Sequence, residues 1–294
     1  MEKFEKNFSK EKLIFNELMK NHTTFEIGGP ADLVLLAESI TDIVRALSIC
    51  KDENIPYFVI GNGSNVLVSD KGFKGVIIKL ANFTDINISD NIVTVTSGVD
   101  IRELSKLAGE NVLTGLEFAE GIPATVGGAI CMNAGAYGSE IKDVLLSVEV
   151  LKNGELTSLL ASELEFGYRT SLVKKENLIV VSAKFSLKKG NEEEIKETMQ
   201  DLNKRRIDKQ PLEYPSAGSI FKRPEGYFAG KLIQDAGLVG KQIGGASVST
   251  KHAGFIVNKG NATAEDVLQL IKHIQETVKE KFGVVLEREV IVLE

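Results

Sequence analysis

Apolar and polar positions along this chain follow two periods, and the places where the period changes mark its elements. Ile43, Val44, Leu47 and Cys50 recur at helical spacing, with Ser39 and Asp42 ahead of them in capping-box positions. Residues 9–20 carry a weaker form of the same period and predict a short amphipathic helix, followed by a turn at Gly28-Gly29-Pro30. Tyr57 to Ile60, VLVSD from 66 and GVIIKL over 75–80 read as strands, so the first eighty residues predict an α/β lobe. From 91 the run NIVTVTSG is β-rich, a helix is expected near 101–109, and strands are expected at 145–151 and 178–187. A polar helix over 192–204 shows a stripe of Ile195, Met199 and Leu202. KRRIDKQPLEYPS, 204–216, holds Pro211 and Pro215 among clustered charges and predicts a boundary.

The last third predicts a helix over 227–236 stopped by Gly237, a strand over 253–258 and a long helix over 264–281. That helix opens with Thr263 and Asp266, turns Val267, Leu270, Ile271, Ile274 and Val278 to one side, and stops at Gly283. VVLEREVIVL reads as a closing strand. Alternation puts Arg288, Val290 and Val292 on one face and Glu289, Ile291 and Leu293 on the other, so both faces are expected to be buried after 290.

Composition narrows the classes. The 294 residues are 43% hydrophobic and 26% charged, the balance of a globular chain long enough for two or three domains. A net charge of −6 argues against a general nucleic-acid binder, and no apolar run reaches the length of a membrane span. The charged start MEKFEKNFSKEK is unlike a secretory signal. Cys50 and Cys131 are far apart and read as buried thiols of a reducing compartment, so the cytoplasm is expected. No cluster of His, Cys and carboxylates has metal-ligand spacing, and none is expected to bind a metal.

Two small-residue stretches stand out. GIPATVGGAICMNAGAYG, Gly121 to Gly138, has no charge and lets backbone approach a flat partner closely. It is either a packing seam or a backbone surface for an extended cofactor. GNGSN, Gly61 to Asn65, follows a strand directly; it is either a tight turn or a nest of N–H groups for phosphate. It is neither a P-loop nor a dinucleotide GxGxxG. Together the two stretches favour a cofactor bearing a diphosphate. Arg169 in FGYRTS is a surface ion-pair residue or a fork for a carboxylate or enolate. Ser219 in SAGSIFKRP is a turn residue or a proton donor, and the lack of a GxSxG elbow argues against a hydrolase. Glu289 is a strand-end ion-pair residue or a half-buried carboxyl with the raised pKa of a general acid.

In order, GNGSNVLVSD, GIPATVGGAICMNAGAYG, GYRTS, AGSIFK, KHAGFIVN and LEREV resemble the UDP-N-acetylenolpyruvoylglucosamine reductases, and NHTTFEIGGPAD extends the likeness to nearly the whole chain. The resemblance implies an α+β fold: a two-lobed FAD-binding domain of the vanillyl-alcohol-oxidase (PCMH) type plus a C-terminal α+β substrate domain. The lobes are expected at 1–80, joined by the terminal strand 284–294, and at 81–205, with the substrate domain at 206–283.

It also implies non-covalent FAD, NADPH as co-substrate, and reduction of an enolpyruvyl sugar nucleotide for peptidoglycan. The cofactor contacts it implies are Gly61, Asn62, Gly63, Ser64 and Asn65, then Gly121, Ile122, Pro123, Thr125, Gly127, Gly128, Ala129, Asn133, Gly135 and Ala136. Arg169 and Glu289 would hold the substrate carboxylate and Ser219 would deliver the proton. Tyr168, Lys222, Lys231 and Lys251 are expected near the substrate. Fifty positions separate Arg169 from Ser219, and seventy separate Ser219 from Glu289, so the chain resembles the shorter type, without the Tyr-bearing lid insertion of the longer one. The remaining alternatives are an oxidase or dehydrogenase of the same flavin-binding fold acting on another substrate, where covalent flavin is common, and a non-catalytic nucleotide-binding module.

Overall fold

A computed structural model of the chain describes every residue except Asn153. It divides into two compact units, each built from separate stretches. The first holds Met1–Phe15, Leu33–Asn62 and Gly75–Arg206; the second holds Asn16–Asp32, Gly63–Lys74 and Ile207–Glu294.

The first unit has two apolar cores. One gathers Leu33, Leu35, Ile43, Ala46, Val76 and Ile78 with Phe4 and Phe8. Here the helix Ile40–Asp52 begins at Ser39, whose hydroxyl accepts from the N–H of Asp42 as its position predicts. Tyr57–Ile60 lies parallel to Val76–Lys79. The amphipathic helix expected over 9–20 is not there. The opening helix is Glu2–Asn7, and Leu13–Leu18 is a strand interrupted by Asn16 at φ 52°. Phe4 and Phe8, four apart and stacked at 5.6 Å, are the helical signal, whereas Leu13, Ile14 and Phe15 are consecutive and fit no helical stripe.

The other core lies between a five-stranded sheet and the helices Ile101–Glu110 and Val126–Cys131. Its strand order is Glu155–Leu160, Leu145–Lys152, Ile179–Ser186, Ile92–Thr96 and Ile86–Ser89, with antiparallel neighbours. Val93, Val95, Val148, Val150 and Phe185 fill the inner face. The polar helix Glu192–Lys209 follows, with only Ile195 of its stripe buried.

The second unit packs the helices Ala229–Asp235 and Ala264–Phe282 on the sheet Ser216–Ser219, Phe255–Asn258, Ala246–Val248 and Gln242–Ile243. Thr263 and Asp266 form the expected capping box, and Gly283 ends the long helix at φ 70°. Val267, Leu270, Ile271, Ile274 and Val278 are buried with Phe25, Ile27 and Leu67, which come from far upstream.

The closing strand is shorter than its alternation suggests. Only Ile291–Leu293 is extended in a ladder, parallel to Val66–Val68. Ile291 and Val292 are half-exposed, so the strand is not buried on both faces. Upstream of it, Val285 is 67% exposed and Arg288 meets Phe221 as an isolated bridge. Cys50 is buried, which pushes its thiol up to about 11, whereas Cys131 is half-buried. Among the described residues no helix is long and apolar enough to cross a membrane, and no cluster of metal-ligating side chains occurs.

Candidate functional site

In the first unit the stretch from Gly121 is stitched to the end of a core strand. Val126 donates to the carbonyl of Val99 at 2.8 Å and Gly127 to that of Ser97 at 2.9 Å. Thr125 caps the short helix Val126–Cys131, its Oγ1 accepting from Gly128 at 3.3 Å. Gly61 sits against this cap: a Cβ on it would stand 2.2 Å from Thr125 Oγ1. A Cβ on Gly127 would stand 3.0 Å from that of Ser97. The two small-residue stretches therefore meet at Gly61 and Thr125, and part of the second is a packing seam.

Ser97 lies at this junction, 1% exposed, and its Oγ has no hydrogen-bond partner among the described residues. A buried hydroxyl without a partner is costly, and here it borders backbone that has no room for side chains. Asn62 donates its amide to Asp100 Oδ2 at 3.1 Å. Burial alone would raise the Asp100 carboxyl, but hydrogen bonds from Arg102 and from Asn62 outweigh it and hold the group below the usual range.

Further along, Gly135–Ala136 pairs with Ser139–Glu140 around Tyr137 and Gly138, whose φ values of 56° and 96° are those of a type I′ hairpin. Asn133, fully buried, clamps this hairpin with its side chain. It donates to Glu140 Oε2 at 3.0 Å and to the Gly167 carbonyl at 3.1 Å, and accepts from the N–H of Lys142 at 3.1 Å. Its amide thus serves the protein, and its backbone N–H donates to the Ile130 carbonyl at 3.1 Å, so neither is left for a ligand.

Arg169 follows in the turn Gly167–Thr170 at φ 56°, a conformation costing a non-glycine residue about 1–2 kcal/mol. It leads to the short helix Leu172–Lys175 before the expected strand. Its Nη2 donates to the Gly135 carbonyl at 3.3 Å, and its guanidinium lies 5.2 Å from the centre of the Tyr168 ring. Arg169, Asn133 and Gly135 are one cluster. Tyr168 is exposed.

In the second unit Gly63 has φ 64°, and a Cβ there would stand 2.3 Å from the His22 carbonyl. Asn65 accepts from Ile291 at 3.0 Å and donates its amide to the Glu289 carbonyl at 3.3 Å. Ser219 ends the strand Ser216–Ser219 opposite Phe255, after Gly218 at φ 73° and a shift of register. Glu289 donates its N–H to Ile220 at 2.8 Å, and Lys222 donates to the carbonyl of Glu287 at 2.8 Å. These bonds bring Ser219 and Glu289 together, both half-exposed. Among the described residues nothing hydrogen-bonds the Ser219 hydroxyl.

The three lysines expected near a substrate are each engaged at the surface: Lys222 with Glu287, Lys231 with Asp235, and Lys251 at 4.0 Å from Glu213.

Reasoning from the sequence passed over His252 and Ser97. The Nδ1 of His252 accepts from Gly254 at 3.2 Å, which leaves the proton on Nε2, and its ring meets Phe255 edge-on at 4.8 Å. Burial lowers its pKa, so the imidazole is neutral at pH 7. The available signal was position: His252 stands three residues before Phe255, the partner of Ser219.

Against known proteins, residues 31–159 match the family described as FAD binding domain, and residues 210–293 match UDP-N-acetylenolpyruvoylglucosamine reductase, C-terminal domain. The chain is 50% identical over 291 residues to the UDP-N-acetylenolpyruvoylglucosamine reductase of Caldanaerobacter subterraneus, covering 99% of this chain and 96% of the relative. It is 50% identical to the enzyme of that name from Clostridium perfringens, covering 96% and 93%. The crystal structure of the Thermus caldophilus reductase superposes with a TM-score of 0.83 at 38% identity, covering 95% of this chain and 98% of that one.

Proposed function

The chain belongs to the UDP-N-acetylenolpyruvoylglucosamine reductase family, and on that premise we propose how its residues divide the reaction. As a member it is an FAD-binding oxidoreductase of peptidoglycan precursor synthesis that reduces the enolpyruvyl sugar nucleotide. Its residues suit FAD. Beside the Gly127 backbone, Ser97 keeps a buried hydroxyl that no described residue hydrogen-bonds. When bound, FAD supplies hydride transfer, and we take NADPH as the donor that reloads it.

The cofactor contacts would be Gly61, Asn62, Gly63, Ser64 and Asn65 for the diphosphate. Gly121, Ile122, Pro123, Thr125, Gly127, Gly128, Ala129, Asn133, Gly135 and Ala136 would line the ring. The FAD lobes would be 1–80 with 284–294, and 81–205, leaving 206–283 to the substrate.

Hydride added at the terminal carbon of the enolpyruvyl group pushes an electron pair toward its carboxylate, giving an enolate. Arg169 and Glu289 would hold that carboxylate, Arg169 through its planar fork and Glu289 as a protonated donor. Ser219 would give its proton to the neighbouring carbon and recover one from solvent. What supports this division is the pairing of Ser219 and Glu289 through Ile220, with the serine hydroxyl unclaimed by the protein. Lys222, Lys231, Lys251 and Tyr168 would serve the substrate only after leaving their surface contacts. The reaction would run in the cytoplasm and, through wall synthesis, bear on cell shape and division.

The flavin spectrum tests the reading. FAD-loaded protein should bleach on adding NADPH and regain its colour on adding enolpyruvyl sugar nucleotide without oxygen. Colour that fails to return would reject the substrate assignment. Flavin that stays with the chain after denaturation would favour the covalent oxidases instead.

A further inference from the structure

Among the described residues Arg206 is a charge with no counter-charge. It sits near the end of the helix Glu192–Lys209 and is half-buried, whereas its neighbour Arg205 reaches Asp201 at 2.7 Å. Among the described residues no carboxylate pairs with Arg206 and no acceptor takes its N–H groups. The groups that act on it electrostatically are the Tyr137 hydroxyl and a second cation, Arg102. Arg102 is already matched, its Nε 2.9 Å from Asp100 Oδ1 and its Nη2 on Oδ2.

The seat of Arg206 is also shaped. A Cβ on Gly121 would stand 2.5 Å from its Cδ and 2.9 Å from its Nη1, so the absence of a side chain at 121 is what lets the guanidinium lie there. Burial pulls the guanidinium below its ordinary pKa, and Arg102 pulls it the same way. The carbonyl end of the helix offsets part of that cost, yet guanidinium N–H groups out of water want anionic acceptors.

We propose that Arg206 is a diphosphate-binding residue, its planar fork taking the oxygens of a nucleoside diphosphate laid against Gly121. Two ligands of the reaction carry this group, FAD and the UDP-sugar, and the inference rests on the function proposed above. Binding measurements separate the two sources. FAD is titrated into apoprotein by fluorescence, and UDP into FAD-loaded protein by calorimetry.

Arg206→Gln should weaken one of these by ten- to a hundredfold and flatten its dependence on salt, with Arg206→Lys recovering part of the loss. A loss in the second titration assigns the sugar nucleotide; a loss in the first assigns the FAD diphosphate and moves it from Gly61–Asn65, where it is proposed above, to Gly121. Where Arg206→Gln fails to fold, Gly121→Ala, which displaces the guanidinium without removing it, should show the same loss. Unchanged affinity in both titrations overturns the proposal. Wild-type protein that binds neither FAD nor UDP would instead reject the function on which it rests.

Discussion

Glu289 donates its backbone N–H to the carbonyl of Ile220 at 2.8 Å, which sets it across from the residue that follows Ser219. The bond ties the segment of Ser219, the proposed proton donor, to a carboxyl seventy positions later. Loss of either side chain is therefore expected to strike the same half of the reaction.

Ser219→Ala should leave flavin reduction by NADPH near the wild-type rate and slow substrate reduction on the order of 10²–10⁴-fold. Stopped-flow absorbance resolves the two phases. Equal losses in both would remove the proton-donor role.

Glu289→Gln keeps a hydrogen-bond donor but has no proton to share, so it should slow the second phase by less than Glu289→Ala does. Identical rates in the two variants would show that hydrogen bonding is not what the residue supplies.

Arg169→Lys preserves charge and accepts the same positive φ, so thermal stability should barely change. The planar fork is lost, and the substrate phase should fall on the order of 10²-fold. A melting point several degrees lower would show that Arg169 works mainly as a brace for Gly135.

Gly61→Ala places a methyl group 2.2 Å from Thr125 Oγ1. Relief requires moving the hydroxyl that caps Gly128, at a cost of about 1–3 kcal/mol. The apoprotein should melt a few degrees lower and retain FAD poorly; an unshifted melt would mean that the loop has slack.

His252 gives the fold a pH dependence. Burial lowers its folded-state pKa below the unfolded value near 6.5, so between the two the unfolded chain binds a proton that the native one does not. Stability should be full above about pH 6.5 and decline as pH falls toward the folded-state value, below which this group adds no further slope. Urea unfolding of wild type and His252→Gln at several pH values tests this, and parallel curves would acquit the imidazole.

Much of this was legible in the chain itself. Ser39, Thr263 and Gly283 announce helix ends because capping is local chemistry, readable within four residues. GNGSN and the stretch from Gly121 announce close backbone approach, though nothing local says that Gly61 would meet Thr125. Arg206 was hidden inside KRRIDKQ, where a charge cluster beside prolines reads as a boundary, and only packing against Gly121 distinguishes it from Arg205. Ser97 looked like the end of a β-run. The closing strand misled because alternation cannot say whether a neighbour exists on both faces, and Val66–Val68 supplies just three rungs.

The second unit is discontinuous, and that has a consequence on the ribosome. Phe25 and Ile27 emerge about 190 residues, and Leu67 about 150 residues, before Ala217 and Ile220, which join them in one core. At ordinary elongation rates those side chains wait on the order of ten seconds in water. Synonymous changes that alter translation speed between 67 and 217 should therefore alter its yield, and a chaperone that shields apolar segments should lessen the effect.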